Sequence, residues 1–146
     1  MTKRKIEYQY NISELIDILS IFQIKEVKSA KNINNIQKQI IDIRKDLELL
    51  LKNKNINLDS KMIRKIFLVG IINLLVWQLK DKMIVEPKRY NKYLKKALEL
   101  NTIRNAVYNI MMKNFNEFNE TKIRTEVLGK KNRNWHEYLI KNVKKL

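Results

Sequence analysis

The chain has no cysteine, one proline and two glycines in 146 residues, and each shortage removes a class of protein. Without cysteine there are no disulfides, thiolate nucleophiles or thiolate metal sites, and the composition fits a reducing compartment, which we take to be a cytoplasm. Without turn-forming Gly and Pro, a fold of many short strands is disfavoured and long helices are the alternative. Histidine occurs once, at His136. Its following residues Glu137-Tyr-Leu-Ile140 lack the second histidine of a helical zinc-protease motif, and one imidazole does not supply the three or four ligands that zinc needs. Gly70 and Gly129 are isolated, so no glycine-rich phosphate loop exists. The acidic residues are scattered singly, without a paired-acid motif for magnesium or glycoside cleavage. The residues thus imply no cofactor, no metal and no small-molecule substrate, and a non-enzymatic role is expected.

Long hydrophobic runs are also missing. The most apolar stretch, Ile66 to Trp77, contains Gly70 and Asn73 and is about half of the ~20 residues that span a bilayer, so it reads as a buried helix rather than a transmembrane segment. The basic start Met1-Thr-Lys-Arg-Lys5 is followed by Ile6-Glu-Tyr-Gln-Tyr10, not by the apolar core of a signal peptide.

What is abundant is positive charge on a chain able to fold. Hydrophobic residues make up 45% and charged residues 32%, enough for a single domain to bury a core. The net charge of +16 is uneven: residues 1 to 60 carry 11 basic and 8 acidic side chains, whereas residues 61 to 146 carry 20 and 7. Self-repulsion of this kind costs stability and attracts an anionic partner. The chain is also heavy in Ile, Lys and Asn, so an AT-rich coding bias is the competing explanation for part of the lysine.

Periodicity predicts an all-α fold, an antiparallel helical bundle of two hairpins with a short basic C-terminal helical extension. The first helix starts near Asn11 or Ser13 and carries Ile12, Leu15, Ile16, Leu19 and Phe22. The chain between Lys28 and Asn35 separates it from a second, with Ile36, Ile40, Ile43, Leu47, Leu50 and Leu51 on one face. Asp59 or Ser60 caps a third helix to about Met83, apolar almost all round at its centre and so expected to be enclosed on several sides. From Pro87 a long fourth helix carries Tyr90, Leu94, Ala97, Leu98, Val107, Tyr108, Met111 and Phe115. The expected bundle covers residues 1–116, with hairpins at 11–53 and 60–116. The extension covers 117–146: a short helix from Thr121 to Leu128 stopped by Gly129, then a basic linker, then a last helix capped by Asn134 with Trp135, Leu139, Val143 and Leu146 on one face. Asp42-Ile-Arg44 precedes Thr102-Ile-Arg104 by 60 residues, which suggests that the hairpins are related by duplication.

Trp77-Gln-Leu-Lys-Asp81, Tyr90 or Tyr93, and Leu100-Asn101-Thr-Ile-Arg104-Asn105 resemble the core of an uncharacterised family of small helical proteins from bacteria and phages. The resemblance covers roughly residues 60 to 115, implies a helical fold and brings no activity with it. Arg104-Asn-Ala-Val-Tyr-Asn109 also resembles the Arg and His motif of helical-bundle RNases of the HEPN type, with Asn109 where the histidine belongs. Arg133-Asn-Trp-His136 has the residue types at too short a spacing. Lacking a positioned imidazole for proton transfer, Arg104 and Asn105 read as packing and hydrogen-bonding residues, and an RNase is the lesser alternative.

Two segments interleave cations with flat side chains: Lys88-Arg-Tyr-Asn-Lys-Tyr-Leu-Lys-Lys96 and Lys130-Lys-Asn-Arg-Asn-Trp-His136. Lys and Arg neutralise phosphates, and exposed aromatic rings stack on bases. The leading expectation is a protein that binds RNA or DNA mainly through phosphate contacts, using Lys88, Arg89, Lys92, Lys95, Lys96, Lys130, Lys131, Arg133, Lys141, Lys144 and Lys145, a small subunit of a nucleoprotein complex being one such role. Tyr90 and Trp135 are expected to point inward as core. The alternative is a phage or mobile-element interaction protein that docks helix faces on a host or structural protein, with self-association also open. A last helix lying on anionic membrane is disfavoured by its shortness.

Overall fold

A computed structural model describes residues 10–29 and 31–117. The fold is all-α, a helical bundle built from hairpins: α1 (Ile12–Lys28), α2 (Ile33–Asn53), α3 (Ser60–Val85) and α4 (Tyr90–Asn114), with a 3-10 turn at Pro87–Arg89 leading into α4. Helices α1 and α2 pack together as one hairpin, and α3 and α4 as another. The chain divides between Asn57 and Leu58 into two compact units. The expected helices Thr121–Leu128 and Asn134–Leu146 lie outside the described residues.

The helix ends follow from local chemistry. Asn11 caps α1, its Oδ1 accepting from the Glu14 backbone N–H at 2.7 Å, and Asp59 caps α3, its carboxylate accepting from the Met62 N–H at 2.8 Å. Each satisfies a backbone donor that the first turn leaves without an intrahelical acceptor. Helix α2 begins at Ile33, ahead of the expected start. Its N-cap Asn32 has φ 61° and makes no side-chain capping bond. In a chain nearly without glycine, asparagine also supplies the left-handed residue that stops helices: Asn55 (φ 51°) follows α2 and Asn116 (φ 57°) follows α4. Behind each, the next N–H reaches back five residues, Ile56 to the Leu51 carbonyl at 3.0 Å and Glu117 to the Met112 carbonyl at 2.8 Å. This is the Schellman arrangement.

In the second unit Ile72 and Val76 of α3 and Ile103 of α4 form the centre of the core, with Leu68 and Leu100 packed against it. Val69, Val107 and Met111 are buried on the same two helices. In the first unit Ile12, Leu15 and Ile16 of α1 and Ile36 and Ile40 of α2 are buried, whereas Ile43, Leu47, Leu50 and Leu51, expected on the same face of α2, are half-buried.

Helix α3 departs from expectation. It is buried along one face, through Met62, Val69, Ile72, Asn73 and Val76, while Ile63, Phe67, Ile71 and Leu74 are exposed. An all-round apolar sequence permits burial on every side, but a helix in a hairpin covers its partner on one side only. The whole helix is also longer than its apolar centre: α3 is long and apolar enough, by length and composition alone, to cross a membrane. Only 28% of its most apolar 18-residue window is buried, so most of that surface is not used by the described core.

Candidate nucleic-acid interface

The turn between α3 and α4 is where the described part of the chain gathers its cations. Pro87 fixes the backbone for a first turn without needing a donated N–H, and the 3-10 turn it opens holds Lys88 and Arg89. The first two turns of α4 add Lys92, Lys95 and Lys96, and all five side chains are exposed. Lys92 and Lys95 stand four and seven residues beyond Lys88 and so share one side of the chain, about 6 and 10 Å along it for helical rise. The last turns of α3 contribute Lys80 and Lys82 to the same end of the hairpin, with Asp81 between them.

Glu86 organises the turn. Its Oε2 accepts from the Tyr93 hydroxyl at 2.8 Å and lies 3.4 Å from Arg89 Nη1, in a pair whose side chains are 44% and 65% exposed. Solvent screening leaves such a pair worth little to stability, and the Glu86 carboxylate offsets part of the positive field that Arg89 adds to the turn. Tyr93 is thereby committed inward, at 8% exposure, but Tyr90 is 47% exposed. The expectation that Tyr90 joins the core is corrected: Tyr90 shares the side of Tyr93 and Ala97 by spacing, but as the first residue of α4 it stands at the end of the hairpin and is left exposed there. The remaining candidates, Lys130, Lys131, Arg133, Lys141, Lys144 and Lys145, lie outside the described residues, as do Trp135 and His136.

The electrostatics of this end oppose stability. The amino terminus of a helix carries partial positive charge, which favours acidic side chains there. Helix α4 has no acidic residue in its first turn and no side-chain cap, and it has cations before and after its start. Lys92 and Lys96, one turn apart, repel one another.

Arg104, eleven residues beyond Tyr93, is placed differently. Its Nη1 donates to Asn73 Oδ1 at 2.9 Å across the α3–α4 interface, so the hydrogen-bonding role expected of it is realised. Arg104 Nε and Asn105 Oδ1 are buried and have no hydrogen-bond partner among the described residues. The Asn73 partner was not apparent from sequence, being 31 residues away. Among the described residues there is no group of three or more His, Cys, Asp or Glu side chains placed to hold a metal ion.

Comparison of the chain with protein-family models, with curated proteins and with solved structures gives no match.

Proposed function

We propose that this protein binds nucleic acid, RNA or single-stranded DNA by preference, at the turn joining α3 and α4, through phosphate contacts of weak sequence selectivity. The observation that carries the reading is the placing of Lys88, Arg89, Lys92, Lys95 and Lys96 at the positive end of α4. That arrangement costs stability through the helix dipole and through like-charge repulsion. The same features attract an anion, because the helix dipole and the lysines are of one sign. The six cations between Lys130 and Lys145 extend the same charge in sequence. A compositional surplus of lysine has no reason to collect where a helix tolerates it least, and this argues against coding bias as the whole explanation. A small subunit of a cytoplasmic nucleoprotein complex is the role this reading fits.

The test is fluorescence anisotropy of labelled single-stranded RNA and DNA oligonucleotides against the full chain. Affinity should fall with salt, and the triple substitution Lys92→Glu, Lys95→Glu, Lys96→Glu should weaken binding by more than about 10-fold while reducing the salt slope by about 2 to 3. Binding absent at low salt, or indifferent to salt, contradicts the proposal. Unchanged affinity in the triple variant moves the interface away from this turn.

A further inference from the structure

One acid stands among six cations at the end of the second hairpin. From Lys82 to Lys96 the chain carries Lys82, Lys88, Arg89, Lys92, Lys95 and Lys96, and Glu86 is the only carboxylate between them. Its backbone is held on both sides: the Glu86 N–H donates to the Lys82 carbonyl at 2.8 Å, and the Glu86 carbonyl accepts from the Arg89 N–H at 2.9 Å. Pro87 follows and fixes the next φ. The carboxylate is held too, since Oε2 accepts from the Tyr93 hydroxyl at 2.8 Å and Tyr93 is itself buried. The same anchored oxygen lies 3.4 Å from Arg89 Nη1.

An acceptor for the Tyr93 hydroxyl need not be charged. The amide oxygen of a glutamine takes the same hydroxyl proton and places no negative charge within a cationic surface. The charge of Glu86, as distinct from its role as acceptor, bears on the cations around it and works against the attraction of an anion. Arg89 is within its reach. A carboxylate and a phosphate present oxygens of the same kind to a guanidinium, so Glu86 and an incoming phosphate compete for Arg89. Both side chains of the pair reach solvent, and a contact of that kind is weak enough to exchange. Tyr93 keeps the carboxylate in place when Arg89 turns away. The displaced acid therefore stays beside the bound phosphate and repels it.

We propose that Glu86 sets the affinity of the phosphate-binding turn, a role that rests on the function proposed above. Its carboxylate holds the Arg89 guanidinium in the free protein, a phosphate takes its place on binding, and the anchored negative charge keeps the complex weak and reversible. Only ion-pair and hydrogen-bond partners exchange, and Arg89 stays protonated throughout.

A double-mutant cycle tests it, read by anisotropy of a labelled single-stranded RNA oligonucleotide against the full chain. Glu86→Gln should tighten binding by about 2- to 5-fold, the range expected of an exposed ion pair. It should also steepen the salt slope by up to about one, because no carboxylate is left to take up a cation when the phosphate arrives. In the Arg89→Gln background the same substitution should bring clearly less gain, since the contact it relieves is already gone. Arg89→Gln alone should weaken binding less than Lys88→Gln, one residue away, because Arg89 starts out paired. That comparison reads the same contact if Glu86→Gln alters the circular dichroism spectrum. An equal gain in the two backgrounds makes Glu86 a diffuse charge and overturns the proposal. So does unchanged or weaker binding by a natively folded Glu86→Gln variant, or an Arg89→Gln loss as large as that of Lys88→Gln. Absence of salt-dependent binding by the unsubstituted chain overturns the function of the turn and this role with it. Binding that the triple substitution Lys92→Glu, Lys95→Glu, Lys96→Glu weakens and Glu86→Gln leaves unchanged overturns the role of Glu86 alone.

Discussion

Helices α2 and α4 are of similar length, yet α2 buries two residues, Ile36 and Ile40, and α4 buries seven, from Tyr93 to Met112. The difference follows charge. The sequence to residue 60 is nearly balanced, and the excess of cations lies beyond it. The hairpin that displays most of the described surplus charge is thus also the one with the larger apolar core between its helices. Self-repulsion among lysines is a destabilising term that burial has to offset. A functional surface of one charge sign is most easily carried where packing leaves a margin.

The sharpest way to break this comparison is to remove equivalent packing from the two hairpins. Ile72, at 1% exposure, is central in the second core, whereas Ile40, at 7%, lies on the sparsely buried α2. Ile72→Ala should cost about 2 to 5 kcal/mol, the usual range for an enclosed isoleucine. Ile40→Ala should cost clearly less, because half-buried neighbours can close around it. Urea unfolding followed by circular dichroism measures both, and equal losses would show that the hairpins do not differ in packing as described.

A smaller effect is expected at the partly buried hydrogen bond between the helices of the second hairpin. Asn73 accepts from the Arg104 guanidinium at a partly buried site. Asn73→Ala leaves that cation without its acceptor, which should cost about 1.5 to 3 kcal/mol. Replacing both partners by apolar residues of similar size, Asn73→Leu with Arg104→Met, should recover most of the loss, because the desolvated polar groups are then gone. If the double variant is no better than Asn73→Ala alone, the cost arises from shape rather than from the unpaired charge.

How legible these features were in the sequence depended on how local their causes are. Asn11 and Asp59 announce their helices because a cap acts within three residues, and Pro87 marks the entry to α4 for the same reason. The start of α2 was missed by three residues because Asn32 caps it without a side-chain bond, which leaves no pattern to read. The exposed side of α3 was illegible because a helix apolar on all sides has no periodicity to say which side is covered. The exposed Tyr90 and the Arg104–Asn73 pairing depend on how α3 and α4 meet, and no local spacing encodes that contact. Of the candidate interface, the lysines of the turn were readable as a charge run, whereas their conflict with the helix dipole needed the position of the α4 start.

The smallest predicted effect concerns a feature that the two hairpins share. Asn55 and Asn116 both hold left-handed backbone after a helix, a conformation that an L-residue with a Cβ adopts at a cost and glycine adopts freely. Asn bears part of that cost, since its short polar side chain tolerates the region better than others. Asn55→Gly and Asn116→Gly should therefore stabilise by a few tenths of a kcal/mol at most, because relief in the folded state is set against the extra freedom glycine has when unfolded. The alanine variants should destabilise by up to about 1 kcal/mol. Hydrogen exchange at the Ile56 and Glu117 amides, whose bonds close the two stops, reads each end separately. The alanine variants should speed exchange at the affected amide and leave the other unchanged. Acceleration at both amides from a single substitution would mean that the two units open together, and the contrast between the hairpins would then have to be made on one cooperative structure.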